Sequence, residues 1–198
     1  MRLIIITGFL GSGKTTVLLR LAGYLSRDLT PEDIVIIENE IGEANVDGRL
    51  MGQSGYQVRD LTAGCICCTL SGQLMTALDD IRREIDPQWL LVEATGIAHQ
   101  TIADVIRQSM PGLTPISLVL VDAERWDELV EHLPMLIGTQ VENADLILIN
   151  KIESLPPPEL DRIEAEVREL NDRSPLFRLP SDPGNCDIIG KVVDYAHA

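Results

Sequence analysis

One stretch near the start constrains this chain more than any other. Gly8-Phe9-Leu10-Gly11-Ser12-Gly13-Lys14-Thr15 fits G-x-x-x-x-G-K-[ST] and follows directly on the apolar run Leu3 to Thr7. A short continuous apolar run reads as a strand buried on both faces. The segment Thr15 to Ser26 beyond it carries Val17, Leu18, Leu21, Ala22 and Leu25 on one side, the stripe of an amphipathic helix. Between strand and helix the glycines let the backbone curl so that its N–H groups point inward. With the helix N-terminus they form a nest for anions. The expected ligand is a nucleoside triphosphate touched by Gly8, Leu10, Gly11, Ser12, Gly13, Lys14, Thr15 and Thr16. Lys14 would reach the β- and γ-phosphates, and the Thr15 hydroxyl would ligate Mg²⁺.

The rest of the chain repeats the alternation. Strands are predicted at Ile34 to Ile37, Trp89 to Ala94, Ile116 to Ala123, Asp145 to Asn150 and Leu176 to Leu179. Helices are predicted at Ser71 to Ile85, stopped by Pro87, at Ile97 to Gln108, at Glu159 to Leu170 and, shorter, at Asp187 to Tyr195. Asn39 to Arg59 is rich in glycine and polar residues and reads as a long loop, a kind that usually serves function. The pattern specifies a three-layer α/β fold of the P-loop NTPase type, a mostly parallel sheet with helices on both faces. A single domain over 1–198 is expected, with no second domain after it. Ligands in such sheets bind beyond the carboxyl ends of the strands.

Charge narrows the partners. The net charge is −15, so a broad basic field is absent, and nucleic acid and anionic membranes are not expected as partners. Phosphate must be held by local chemistry. No apolar run approaches the ~18 residues of a membrane span, and a cytoplasmic location is expected.

A phosphate loop needs an acidic group near Mg²⁺, at the end of a neighbouring strand. Glu93 closes one strand and precedes Thr95-Gly96, where the Gly96 N–H would sense the γ-phosphate. Asp122 also ends a strand and is the rival, unless it caps a helix from Ala123. Beyond Asp145 to Asn150 comes Asn150-Lys151-Ile152-Glu153, similar to the N-K-x-D guanine motif with Glu for Asp. Asn150 would bond the base edge, the Lys151 stem would lie over the ring, and the carboxylate would accept from guanine N1–H and its 2-amino group. Adenine has no donor there. A surface turn with a helix-dipole carboxylate is the plainer reading. Ser174-Pro175, before the last strand, is a candidate second base-contact loop.

Three of the four cysteines fall together in Gly64-Cys65-Ile66-Cys67-Cys68-Thr69, at a predicted loop-to-helix junction. Helix N-termini favour the thiolate, which suits Zn²⁺ and other borderline or soft ions. Cys65, Cys67 and Cys68 give three sulfurs, one short of a closed site, so Glu38 and Glu43 are candidate co-ligands. Buried structural cysteines and redox pairing stand beside this reading. Cys186 is isolated and reads as a packing residue, and His99, His132 and His197 show no ligand spacing.

Four stretches together, GFLGSGKTT, ENEIGEANVD, GCICCTL and VEATG with NKIE, resemble the CobW-type subgroup of metallochaperone GTPases related to UreG and HypB. The resemblance spans roughly residues 2 to 180. It implies a slow GTPase that loads a transition metal, Zn²⁺ or Co²⁺, into a client metalloprotein. It assigns the metal to Cys67 and Cys68 with Cys65, shared with Glu38 and Glu43. Glu40 and Asp47 would belong to the first switch, close to Mg²⁺, and join Lys14 and Glu93 as catalytic residues. No side chain stands out as an arginine finger or a water-orienting Gln, so acceleration by homodimerisation or by a client is expected. A metal-responsive regulatory protein with incidental hydrolysis, and an accessory factor for a cobalt- or corrinoid-dependent enzyme, are the readings beside it.

Overall fold

A computed structural model describes the backbone of residues 1–38, 57–60, 69–94, 99–182 and 187–197, and side chains over 1–37, 75–94, 102–182 and 187–197. In chain order the elements are β1 (Arg2–Gly8), α1 (Lys14–Leu25), β2 (Ile34–Glu38), β3 (Gln57–Asp60), α2 (Thr69–Glu84), β4 (Trp89–Glu93), α3 (His99–Ser109) and β5 (Pro115–Asp122). Then come α4 (Trp126–His132), α5 (Pro134–Glu142), β6 (Leu146–Asn150), α6 (Pro157–Leu170), β7 (Leu176–Arg178) and α7 (Asp187–His197). The strands form one seven-stranded sheet in the order β3-β2-β4-β1-β5-β6-β7, and every pairing is parallel.

Alternation along the strands splits the apolar residues between two faces. Ile4, Ile6, Ile34, Ile36, Leu91, Leu118 and Leu148 pack with Val17, Leu18, Leu21 and Leu25 of α1 and with Ile189, Val192 and Val193 of α7. On the other face Leu3, Ile5, Val35 and Val92 meet α2 and α3 through Leu78, Ile81, Ile102 and Ile106. Val119, Val121, Ile147 and Ile149 meet α4, α5 and α6 through Trp126, Leu129, Val141, Ile163 and Val167. Each fully buried Leu, Ile or Val contributes roughly 1.5–3 kcal/mol by leaving water, which explains how a core so poor in aromatics holds together. Among the described residues no helix is long and apolar enough to cross a membrane.

Two features depart from the sequence reading. The end of the stretch read as a loop, Gln57–Asp60, is a strand: it pairs with β2 from Val35↔Gln57 to Glu38↔Asp60. One apolar residue, Val58, gave it no periodicity, so pairing and not propensity makes it a strand. The residues after β5 form two short helices where no helical run was assigned. Leu133 leaves helical geometry at φ −135 and Pro134 opens α5 at its first turn, so neither helix is long enough for a clear period.

Leu91 lies at the centre of β4 with no exposure. Leu91→Ala is expected to cost about 2–5 kcal/mol, the price of lost transfer energy plus a cavity, read from urea unfolding of the nucleotide-free protein.

Candidate functional site: the carboxyl ends of β1, β4, β5 and β6

The phosphate loop is set by glycine geometry. Gly8 at φ +150 and Gly13 at φ +95 occupy backbone that other residues rarely adopt. A Cβ on Gly8 would meet Ser12 Oγ at 2.7 Å and the Leu120 carbonyl at 2.8 Å, and one on Gly13 would land on the Asn150 amide. The loop therefore closes only because two side chains are missing. α1 begins at Lys14 from the Gly13 N-cap, with no side-chain cap and no acidic residue in its first turn among the described residues. Its leading N–H groups have no intrahelical carbonyl, and the helix dipole adds positive potential there. Such an end suits an anion.

Glu93, the last residue of β4, comes to this end. Its Oε2 accepts from Thr15 Oγ1 at 3.0 Å, and its Oε1 lies 3.8 Å from Lys14 Nζ. Lys14 Nζ also donates to the Phe9 carbonyl at 3.3 Å. A hydroxyl and a carboxylate in contact are hard oxygen donors of the kind Mg²⁺ takes, so the residues present fit that ion. Burial lowers the Lys14 pKa below its ordinary 10.5, and the pull of Glu93 in the opposite sense is smaller.

Asp122, the other strand-end acid, is turned elsewhere. It occupies the N-cap position of a single 3₁₀ turn, Ala123–Arg125, but makes no cap bond. Its Oδ2 accepts from Lys151 Nζ at 2.8 Å, and that ammonium also lies 3.4 Å from Glu124. The Lys151 amine, at the tip of the stem expected over a base ring, is thus anchored to carboxylates, which raise its pKa, the Asp122 hydrogen bond most of all. Lys151 sits in the left-handed region at φ 60.

Asn150 is the link between the base motif and the phosphate loop. Its Nδ2 donates to the Ser12 carbonyl at 2.8 Å. The carbonyl of Ile149 before it accepts from Leu179 N at 2.8 Å, which brings the chain after β7 alongside. In that chain Ser181 donates to Glu153 twice, from N to Oε1 at 2.6 Å and from Oγ to Oε2 at 2.7 Å. These bonds hold the Glu153 carboxyl below the usual range, the backbone bond first and the hydroxyl second. Arg20 of α1 fastens the same loop through the carbonyls of Pro180 at 2.7 Å and Asp182 at 3.3 Å.

Ser174 is a correction. It precedes β7 and so lies at the amino end of the sheet, where its hydroxyl donates to the Ala144 carbonyl just ahead of β6. It faces an open polar cleft with Arg107, Asp145 and Asn171, away from Asn150. The loop beside the base motif is the one after β7. The side chains of Glu38, Glu40, Glu43, Asp47, Cys65, Cys67 and Cys68, together with Gly96 and Cys186, lie outside the described residues.

A sequence model of the CobW/HypB/UreG nucleotide-binding domain matches residues 2–178. The chain belongs to the CobW/HypB/UreG family. Zinc chaperone YjiA of Escherichia coli is 32% identical over 189 residues, covering 87% of this chain and 55% of the relative. Zinc-regulated GTPase metalloprotein activator 1 of Dictyostelium discoideum is 24% identical over 215 residues, covering 88% and 44%. The chain spans about half the length of these curated relatives. Among solved structures, HypB from Archaeoglobus fulgidus superposes with a TM-score of 0.70 at 18% identity, covering all of this chain and 89% of that one. Zn(II)-bound YjiA from E. coli gives 0.59 at 25% identity, covering 90% and 57%. The fold is thereby that of the P-loop GTPases of this family.

Lys14 makes a prediction with a definite sign. Its folded pKa lies below 10.5, so the unfolded chain binds more protons across the interval between the two values. The stability of the empty protein therefore rises with pH through that interval. Lys14→Met is expected to remove this slope and raise the melting temperature of the empty protein. It also lowers triphosphate affinity by ~100-fold, about 2.7 kcal/mol. Thermal melts across alkaline pH, with and without Mg-nucleotide, check both halves.

Proposed function

We propose that the chain is the nucleotide-binding unit of a GTP-dependent metal-insertion factor. It binds GTP with Mg²⁺, hydrolyses it slowly, and couples nucleotide state to a transition metal, Zn²⁺ or Co²⁺, destined for a client metalloprotein. The observation that carries this reading is the Thr15–Glu93 contact at an uncapped helix N-terminus, tied through Ser12 to Asn150. The names of the relatives agree: zinc chaperone, zinc-regulated GTPase metalloprotein activator, and HypB from Helicobacter pylori solved with nickel.

The chemistry follows from the residues. The triphosphate settles on the N–H nest of residues 8–16, and Lys14 passes from Glu93 to the β- and γ-oxygens, whose charge restores its proton affinity. Thr15 and Glu93 would hold Mg²⁺, which would supply neutralisation of the phosphate charge. Glu153 accepts from the guanine edge. A carboxylate offers about four lone-pair positions and Ser181 uses two, so the group is oriented by Ser181 while keeping acceptor capacity for the base.

The metal is cargo, assigned to Cys65, Cys67 and Cys68 with Glu38 and Glu43. Strand register supports the coupling. Ile37 pairs with Val92, so Glu38 and Glu93 end neighbouring strands side by side. Glu93 belongs to the Mg²⁺ site, while the chain from Glu38 leads through Glu40, Glu43 and Asp47 towards the cysteines before α2. Contact of a γ-phosphate with this segment and with Gly96 would change how the metal is held.

The test is competition of GTP against ATP, with bound Zn²⁺ and Co²⁺ quantified in the empty, GDP and GTP-analogue states. GTP is expected to win by at least tenfold, and metal affinity to differ between states. Cys67→Ser with Cys68→Ser is expected to remove the metal and leave GTP affinity intact. Equal competition by ATP, or one metal affinity in all three states, would defeat the reading.

A further inference from the structure

The leading arm of the phosphate loop is held by little. Leu10 is 88% exposed, and a side chain added at Gly11 would touch nothing within 4 Å. Phe9 before them packs against the core, and Ser12 after them is buried and bonded through its carbonyl to Asn150. Between these fixed points one side chain among the described residues grips the arm: Arg125 Nη1 donates to the Leu10 carbonyl at 3.0 Å.

Arg125 is itself oriented. Its Nε donates to Glu128 Oε2 at 3.3 Å. The 3₁₀ turn that carries it is fastened by the preceding residue, Glu124, which accepts from Ser154 Oγ at 2.5 Å and lies 3.4 Å from Lys151 Nζ. Of the partners of Glu124, Lys151 belongs to the base motif and Ser154 follows it directly. Neighbouring residues of one turn therefore touch the base motif and the phosphate loop.

We propose that Arg125 is a positioning residue for the triphosphate, acting through the Leu10 carbonyl. It holds the Leu10–Gly11 arm in the conformation whose N–H groups converge on the phosphates, and Glu124 makes that hold depend on the base motif. The physical reason is preorganisation. An unpacked arm with a left-handed glycine samples many conformers, and a nucleotide that must order them loses affinity. A charged donor on the carbonyl is the stronger class of hydrogen bond and restricts the arm beforehand. The proposal rests on the reading of the chain as a nucleotide-binding hydrolase.

Stopped-flow dissociation of a fluorescent GTP analogue at fixed Mg²⁺, followed by single-turnover hydrolysis, tests it in the wild type, Arg125→Ala, Arg125→Lys and Glu124→Gln. Arg125→Ala is expected to dissociate triphosphate ~10-fold faster, the equivalent of one charged contact, and to hydrolyse it more slowly. Arg125→Lys, which keeps one charged donor, recovers part of both losses. Glu124→Gln moves both in the same direction by a smaller factor. The urea midpoint of the empty protein stays unchanged, because Arg125 is 40% exposed and supports no core. Unchanged dissociation in Arg125→Ala overturns the proposal, as does a Lys variant as impaired as Ala together with a shifted urea midpoint. If the wild type binds triphosphate without hydrolysing it, the enzymatic part of the proposed function falls and the dissociation rates still decide Arg125. A wild type that binds no triphosphate overturns both.

Discussion

β1 is bonded on both edges and buried on both faces, so it has no freedom in where it delivers its carboxyl end. Ile6 pairs with Glu93 of β4 on one side and with Leu118 of β5 on the other. That register puts the phosphate loop, the Glu93 carboxylate and the turn after Asp122 within side-chain reach of one another. β6 extends the arrangement, because Asp122 pairs with Asn150. The glycines then finish what the sheet begins. Asn150 reaches the Ser12 carbonyl only because Gly13 has no Cβ in the way. A missing methyl group is thus a structural part of the bond between base motif and phosphate loop.

The proposed ligand is a polyanion, which a chain of net charge −15 repels at long range. The local solution is to store cations against acids. Lys14 rests near Glu93, Lys151 on Asp122 and Glu124, and Arg125 on Glu128. Each pair keeps a cation at the site without a broad basic surface. The pairs are unequal. Lys14 is buried and 3.8 Å from its acid, and desolvation outweighs the attraction. Lys151 has a direct bond to a buried carboxylate, and its pKa is raised.

Buried parallel strands and the motifs at their ends are written locally, in continuous apolar runs followed by glycine or by Asn-Lys, and strong local signals survive folding. β3 is not written locally: Gln57–Asp60 is a strand because β2 offers an edge. Side-chain partners are hidden for the same reason. Nothing near Glu153 in sequence points to Ser181, and nothing near Leu10 points to Arg125, at separations of 28 and 115 residues. The place of Ser174 is itself legible in the sequence, because it precedes the last strand. Ligands lie beyond the carboxyl ends of parallel strands, so the residues after Leu176–Arg178 were the proper candidates, and Ser181 is among them.

Glu153 shows how a departure from a motif is absorbed. A shorter Asp at this place would bring its carboxylate about one carbon–carbon bond closer to its own backbone, ~1.5 Å. With Glu the carboxylate meets the loop after β7, where Ser181 offers both an N–H and a hydroxyl. That loop is also fixed by Arg20 of α1, the helix that opens beyond the phosphate-loop motif. The extra methylene therefore ties the Glu153 carboxylate, through Ser181 and Arg20, to α1. The phosphate helix and the base motif meet a second time at Asn150. Two links thus join the same two parts, and under the proposed function base specificity is expected to depend on Ser181 and Arg20 as well as on Glu153.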